Sequence, residues 1–153
     1  MYLASVLLFM LVLPVLSVLI EGLALHSSLA LFVLIARWFV FWAVGARLFT
    51  AGVRQAIDPR FTAEKIFEFK SSEPLIIIRE LGFANLALGA AGLLTIFDTA
   101  WLLPITIAGA LFYGLATLQH IERKNKNPTE RIATISDAFL FVALLACLVS
   151  ALI

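Results

Sequence analysis

The residues of this chain that could do chemistry are charged, imidazole and amide side chains within or beside long apolar stretches. If these stretches cross a membrane, a charge near the bilayer centre costs at least about 2.5 to 3.5 kcal/mol, so each one needs compensation. Such groups can exchange protons or hold the polar head of a bound molecule. The predicted intramembrane network or ligand site consists of Arg37, Arg47, Gln55, Arg79, Glu80, Asn85, His120 and Asp137.

Two interpretations of this network stay open. In the structural one, Glu80 pairs with Arg47 or Arg79, Asp137 pairs with another basic group, and the pairs fix the helix register. In the functional one, the bundle leaves a polar cavity towards the cytoplasmic leaflet, where Glu80, Asp137 or His120 exchanges protons or holds a ligand. By itself, His120 at a helix end among charges is typical of a surface residue.

The composition is that of a polytopic membrane protein. The chain is 63% hydrophobic and 14% charged, whereas soluble domains are about half apolar and a quarter charged. Five apolar runs come close to the roughly 20 residues that a helix needs to cross a bilayer. They span about 2–20, 29–50, 75–97, 101–118 and 132–153. The sequence therefore predicts one domain, an all-α bundle of five transmembrane helices.

The first run has a competing interpretation as a signal peptide. Gly22–Ala24 resembles a cleavage site, but the first five residues contain no Lys or Arg, and the run is longer than a usual signal-peptide core. We therefore expect a retained helix. Without it, four helices would keep the same two basic loops inside.

The basic residues indicate an orientation, because Lys and Arg near helix ends stay on the cytoplasmic side. They concentrate in a polar loop at 54–74 and a basic loop at 119–131, while the other two connections hold none. The N-terminus is then cytoplasmic and the C-terminus outside. In the longer loop, Asp58 and Pro59 favour a helix start. An interfacial helix and a packed loop with its aromatic side chains between helix ends are both consistent with the residues that follow.

The third run has small residues on two sides. One face carries Gly82, Asn85, Gly89 and Gly92, and a second stripe comprises Glu80, Ala84, Ala87 and Ala91. The glycines favour close backbone approach, and we expect this helix to be central in the bundle. The fourth run has a matching stripe of Thr106, Ala110, Gly114 and Thr117.

Several function classes are disfavoured. A net charge of +1 with interleaved acids gives no footprint for nucleic acid. His26 and His120 would lie at opposite membrane faces, which disfavours a shared metal, and no nucleotide or catalytic motif is present. Enzyme activity is not expected.

Four segments resemble a family of small, uncharacterised bacterial and archaeal integral membrane proteins distantly similar to the DoxX group. They are 52–55, 58–63, 79–86 and 136–139, and the Arg-Glu-Leu-Gly-Phe-Ala-Asn run from Arg79 is the most specific. The resemblance implies a prokaryotic inner membrane. Because some DoxX proteins take part in quinone-linked sulfur oxidation, it also raises a quinone as a ligand or cofactor. This chain departs from the four-helix DoxX pattern by its fifth helix, and it has no recognisable redox centre.

The leading hypothesis is the binding of a lipid-like or quinone-like amphipathic molecule, as an accessory subunit of a larger membrane complex or alone. A small homo-oligomeric, proton-coupled transporter or channel is the alternative. A purely structural membrane subunit is the third. All three place the chain in contact with the lipid bilayer.

Overall fold

The computed structural model describes residues 2–152, with side chains described up to Val149, and the regular structure in this range is helical throughout. Five helices are each long and apolar enough to cross a membrane. They are α1 (Tyr2–Ala24), α2 (Leu31–Ile57), α3 (Leu75–Ile96), α4 (Thr99–Glu122) and α5 (Pro128–Leu152). The five predicted helices are confirmed.

The helix ends differ from the predicted runs because polar residues continue the helices. Helix α2 runs to Ile57, so the first residues of the predicted loop at 54–74 are helical. Similarly, α4 ends at Glu122 and α5 begins at Pro128, which leaves a connection of only 123–127. Hydropathy marks where a helix meets lipid, whereas the backbone hydrogen bonds continue into the polar end turns.

Helix α2 lies at the centre of the bundle. It contacts the other four long helices, and its residues Val40, Ala43 and Val44 are fully buried. The most extensive contacts are between α2 and α3 and between α4 and α5. Helix α1 adds Val6 and Met10 to the same core.

The glycine face of α3 packs directly on α2. A Cβ atom at Gly89 would lie 2.3 Å from the backbone nitrogen of Phe49, and one at Gly92 would lie 2.6 Å from the Cα of Gly45. No side chain fits at these distances without separating the helices. The glycines therefore permit close backbone approach, as expected.

The expectation that α3 is central is wrong. Its second small stripe is turned outwards, since Glu80, Ala84 and Ala87 are exposed and Ala91 is half-buried. Small side chains permit close packing on a face but do not require it. The bundle uses only one of the two small faces of α3 among the described residues.

The small stripe of α4 faces α5, and the neighbouring Gly109 faces both α2 and α5. A Cβ at Gly114 would meet the ring of Phe141 at 2.8 Å, and one at Gly109 would meet Val44 at 2.8 Å and Leu144 at 3.2 Å. The matching stripes of α3 and α4 thus serve different partners.

A short helix, Phe61–Ile66, closes one end of the bundle. Its residues Thr62 and Ala63 are buried. The Asn127 side chain holds it in place by donating to the carbonyl oxygens of Lys65 and Ile66, both at 3.2 Å. This helix lies in the predicted place, but it begins two residues after Pro59, and Arg60 rather than Asp58 precedes it, without a side-chain cap.

Candidate ligand pocket

A pocket of about 560 Å³ lies in the half of the bundle that contains the short helix. We call this the basic half, because it holds all the Lys and Arg residues except Arg37. All five long helices and the short helix contribute to the wall of the pocket. The predicted site residues that line it are Arg47, Gln55, Asn85, His120 and Asp137.

Arg47 of α2 and Asp137 of α5 form an ion pair in the pocket wall. The Nη2 of Arg47 lies 3.0 Å from Oδ1 of Asp137 and 2.9 Å from Oγ of Ser136, and the guanidinium packs over the Tyr113 ring. The side chains of the pair are 13% and 11% exposed. Asp137 therefore has its basic partner, and the predicted pairing of Arg47 with Glu80 is wrong. The Nη1 of Arg47 is buried and has no hydrogen-bond partner among the described residues.

The backbone before Arg47 is wound more widely than an α-helix. Residues Val40–Ala46 are π-helical, and the Arg47 N–H bonds to the carbonyl of Trp42. An α-helix would pair that N–H with the carbonyl of Ala43. The Ala43 carbonyl instead accepts a hydrogen bond of 2.7 Å from the hydroxyl of Tyr113. This bond occupies the Tyr113 hydroxyl and fixes the ring against which Arg47 packs.

Gln55 and Asn85 form a buried amide pair between α2 and α3. The Nδ2 of Asn85 donates to Oε1 of Gln55 at 2.7 Å. The close packing of Gly52 on Gly82 brings the two amides within reach, since a Cβ at Gly52 would lie 2.7 Å from the Gly82 oxygen. Asn85 is 3% exposed, and its Oδ1 has no partner among the described residues.

His120 is buried and paired, unlike a typical histidine at a helix end. Its Nδ1 lies 3.2 Å from Oε1 of Glu130, and the ring of Phe67 stacks on it. Glu130 is fully buried, and Arg123 Nη1 lies 3.4 Å from the same oxygen. The carboxylate thus contacts one imidazole and one guanidinium.

Glu130 was not predicted as a site residue, because it lies in the stretch predicted as a basic loop. A helix-start signal was nevertheless present. Asn127 is followed by Pro128 and, three positions on, by Glu130, which is the order of an N-cap, a first-turn proline and an acid in the first turn. The Asn127 Oδ1 accepts from the Glu130 backbone N–H at 2.8 Å. That pattern could have placed Glu130 in α5.

Arg79 and Glu80 do not line the pocket. Both are exposed, and the Nε of Arg79 donates to the Ala56 carbonyl at 3.2 Å. No ion pair of Glu80 is found in the described part of the chain. Glu80 and Asn85 are five residues apart, which is about 140° around a helix, so a face that buries Asn85 turns Glu80 outwards.

Arg37 lies in the opposite half, about 15 Å along α2 from Arg47 at 1.5 Å per residue. It pairs with Glu21 of α1, which also accepts from the Trp38 indole at 2.7 Å and the Ser27 hydroxyl at 3.2 Å. We call these four residues the Glu21 cluster. The predicted first run ends at residue 20, just before Glu21, but α1 continues to Ala24.

A model of a family of unknown function, DUF6790, matches residues 4–152. The chain belongs to this family. No match was found among curated proteins or among solved structures. The matched range includes every pocket residue except Tyr2.

The pocket of this family member combines apolar walls with a few hydrogen-bonding groups. Arg47 can donate, Asn85 can accept, and His120 has a second ring nitrogen. No group of three or more potential metal ligands occurs among the described residues. The arrangement is chemically suited to holding a polar head group beside an apolar tail.

Proposed function

We propose that the pocket binds a lipid-like or quinone-like amphipathic molecule in the membrane. The observation that carries this proposal is an apolar pocket whose lining residues Arg47 and Asn85 each have a buried polar atom, Nη1 and Oδ1, without a partner among the described residues. An unsatisfied buried polar atom costs about 1–3 kcal/mol, and a ligand head group can recover this.

The wall of the pocket provides room for the tail. Apolar lining residues come from α1, α2 and α4, and include Val6, Phe9, Leu48 and Phe112. Exposed residues of α4 line it as well, and Leu115 is 65% exposed. The pocket therefore reaches the outer surface of the bundle, which favours entry of a molecule from between the lipids.

Native mass spectrometry of the protein in mild detergent, followed by extraction, tests this proposal. We expect a bound lipid or quinone at a defined stoichiometry. Asn85→Leu should lower its occupancy severalfold, because the variant loses the free acceptor and the amide pair. Glu21→Gln in the opposite half is the matched control and should keep the ligand. A folded protein that carries no amphiphile, from several expression membranes, would refute the proposal.

A proton-coupled transporter or channel is the second candidate. It is favoured by the two buried acids of the basic half, Glu130 and Asp137. At this size, two or more copies would be needed to build a path. Asp137→Asn should then abolish proton flux into liposomes while the protein stays folded, and unchanged flux would exclude this role. If the variant loses only thermal stability, a structural membrane subunit is the better description.

We also propose the orientation and location. With the basic half on the cytoplasmic side, the N-terminus is inside and the C-terminus outside, in a prokaryotic inner membrane. The distant similarity to the DoxX group, and with it a quinone ligand and a larger membrane complex, belongs to this proposal. Reporter fusions at each terminus test the orientation, and a C-terminal reporter active only in the cytoplasm would contradict it.

A further inference from the structure

The buried charges around the pocket cancel without a ligand. Arg47 is paired with Asp137, and Glu130 has Arg123 as a cationic partner. The remaining basic residue of the wall, Arg54, is exposed and lies over the Phe61 ring. A charged head group would therefore enter this pocket without a buried counter-charge.

The hydrogen-bonding groups of the pocket favour a ligand head group that both donates and accepts hydrogen bonds. The Asn85–Gln55 pair uses one N–H and one oxygen, so it leaves one free acceptor and at least one free donor whichever way the amides face. The unpartnered Arg47 Nη1 is a donor.

His120 adds an acceptor. A carboxylate can only accept, so Glu130 selects the tautomer of a neutral His120 with the hydrogen on Nδ1. The other ring nitrogen, Nε2, then has a free lone pair. An acid that orients a histidine in this way acts through the ring, and Glu130 is therefore a positioning residue.

We propose that the bound molecule has an uncharged, hydroxyl-bearing head group. This inference rests on the proposed binding function and names its ligand class. A hydroxyl donates to Asn85 or His120 and accepts from Arg47, whereas an ether or a ketone only accepts. Two sources share this chemistry: an aromatic alcohol such as a phenol or quinol, and a lipid with a glycerol head.

Binding to the full-length protein in nanodiscs tests the inference with three probes: a 4-alkylphenol, its methyl ether with the same tail, and a monoacylglycerol. We expect at least one hydroxylated probe to bind, and the phenol to bind at least tenfold more tightly than its ether if the source is aromatic. Preferential binding of the monoacylglycerol identifies the lipid source. An ether that binds as tightly as the best hydroxylated probe overturns the inference but keeps the binding function. Failure of all three probes, with no co-purified amphiphile, overturns both.

Glu130→Gln separates positioning from simple packing. A glutamine can donate to Nδ1, which shifts the hydrogen of His120 to Nε2 and removes the acceptor, so the preference for hydroxyl over ether should fall several-fold. Glu122→Gln, the same change at an exposed site of the same half, should leave the preference unchanged. If Glu130→Gln does not fold, His120→Asn serves, because its amide can still donate to Glu130 but lacks Nε2. An unchanged preference in the folded variant overturns the role of Glu130.

Discussion

Two arginine–carboxylate pairs of the bundle, one in each half, are similarly buried, but their surroundings differ. The Glu21 cluster joins consecutive helices, and its carboxylate accepts from three side chains within 17 positions along the chain. The pair of Arg47 and Asp137 joins residues 90 positions apart and lines the pocket.

This difference shows that a buried charge in an apolar helix does not by itself mark a binding site. Glu21 has its own set of donors, and neither Glu21 nor Arg37 lines the pocket. Each pair leaves one buried guanidinium nitrogen without a partner among the described residues, Arg37 Nε in one and Arg47 Nη1 in the other, but only the Arg47 pair lies beside open space. The first arrangement joins two helices away from the pocket, whereas the second is part of the pocket wall.

The strongest test of the comparison removes each arginine in turn. Arg47→Met should destabilise the protein by about 3–5 kcal/mol, because it leaves the Asp137 charge buried without its pair. Arg37→Met should cost less, since Trp38 and Ser27 still donate to Glu21. Thermal unfolding in detergent measures both. The double variant Arg47→Met/Asp137→Leu should recover most of the loss, and an equal loss at both arginines would contradict the comparison.

The next test adds one methyl group to a glycine in each half of the bundle. Gly52→Ala, beside the pocket, should cost about 1–3 kcal/mol, because its Cβ would lie 2.6 Å from the backbone nitrogen of Leu86. Gly22→Ala, beside Glu21, should cost little, since the nearest atom is a flexible methyl group of Leu34 at 3.3 Å. Melting temperatures decide the order. A greater loss at Gly22 would mean that the α1–α2 contact is the tighter one.

An effect of about the same size is expected from Tyr113→Phe, which removes the hydrogen bond to Ala43 and leaves that carbonyl without its partner. We expect a loss of about 1–3 kcal/mol. Trp42→Phe is the counterpart in the other half, since it removes the indole donor to Ser17 at 2.9 Å. That bond is only partly buried, so its loss should cost less. Chemical denaturation can compare the variants, and equal losses would mean that the π-helical carbonyl finds another partner.

The smallest effect is expected at Glu80. Glu80→Gln should change stability by less than about 0.5 kcal/mol, because the side chain is exposed and has no ion-pair partner among the described residues. Asp137→Asn, the same change in the pocket, should cost several-fold more. A large loss at Glu80 in detergent would revive its predicted role in helix register.

Most of the fold could be predicted from the sequence, because helix length and apolar composition are local properties. The helix ends were less accurate. Arg54 and Gln55 continue α2 although they are polar, since a helix end can leave the apolar layer without unwinding.

The candidate site was predicted only in part. Five of the eight predicted residues meet in the pocket, because helical depth from the ends can be counted along the chain. The rotation of each helix about its own axis cannot be obtained by counting residues. For this reason Glu80 was predicted inside the bundle, although it is exposed. Glu130 was missed because its burial depends on Asn127 starting α5 and on His120 arriving from α4.

The sequence by itself determined the number of helices, their approximate lengths and the concentration of basic residues in one half, because these follow from composition and order. The tertiary structure alone decided which acid pairs with which arginine. That choice depends on how each helix is rotated and how closely two backbones approach, and both are set by contacts such as Gly89 on Phe49 between distant parts of the chain. The same contacts decided which polar residues pair with one another and which line the pocket.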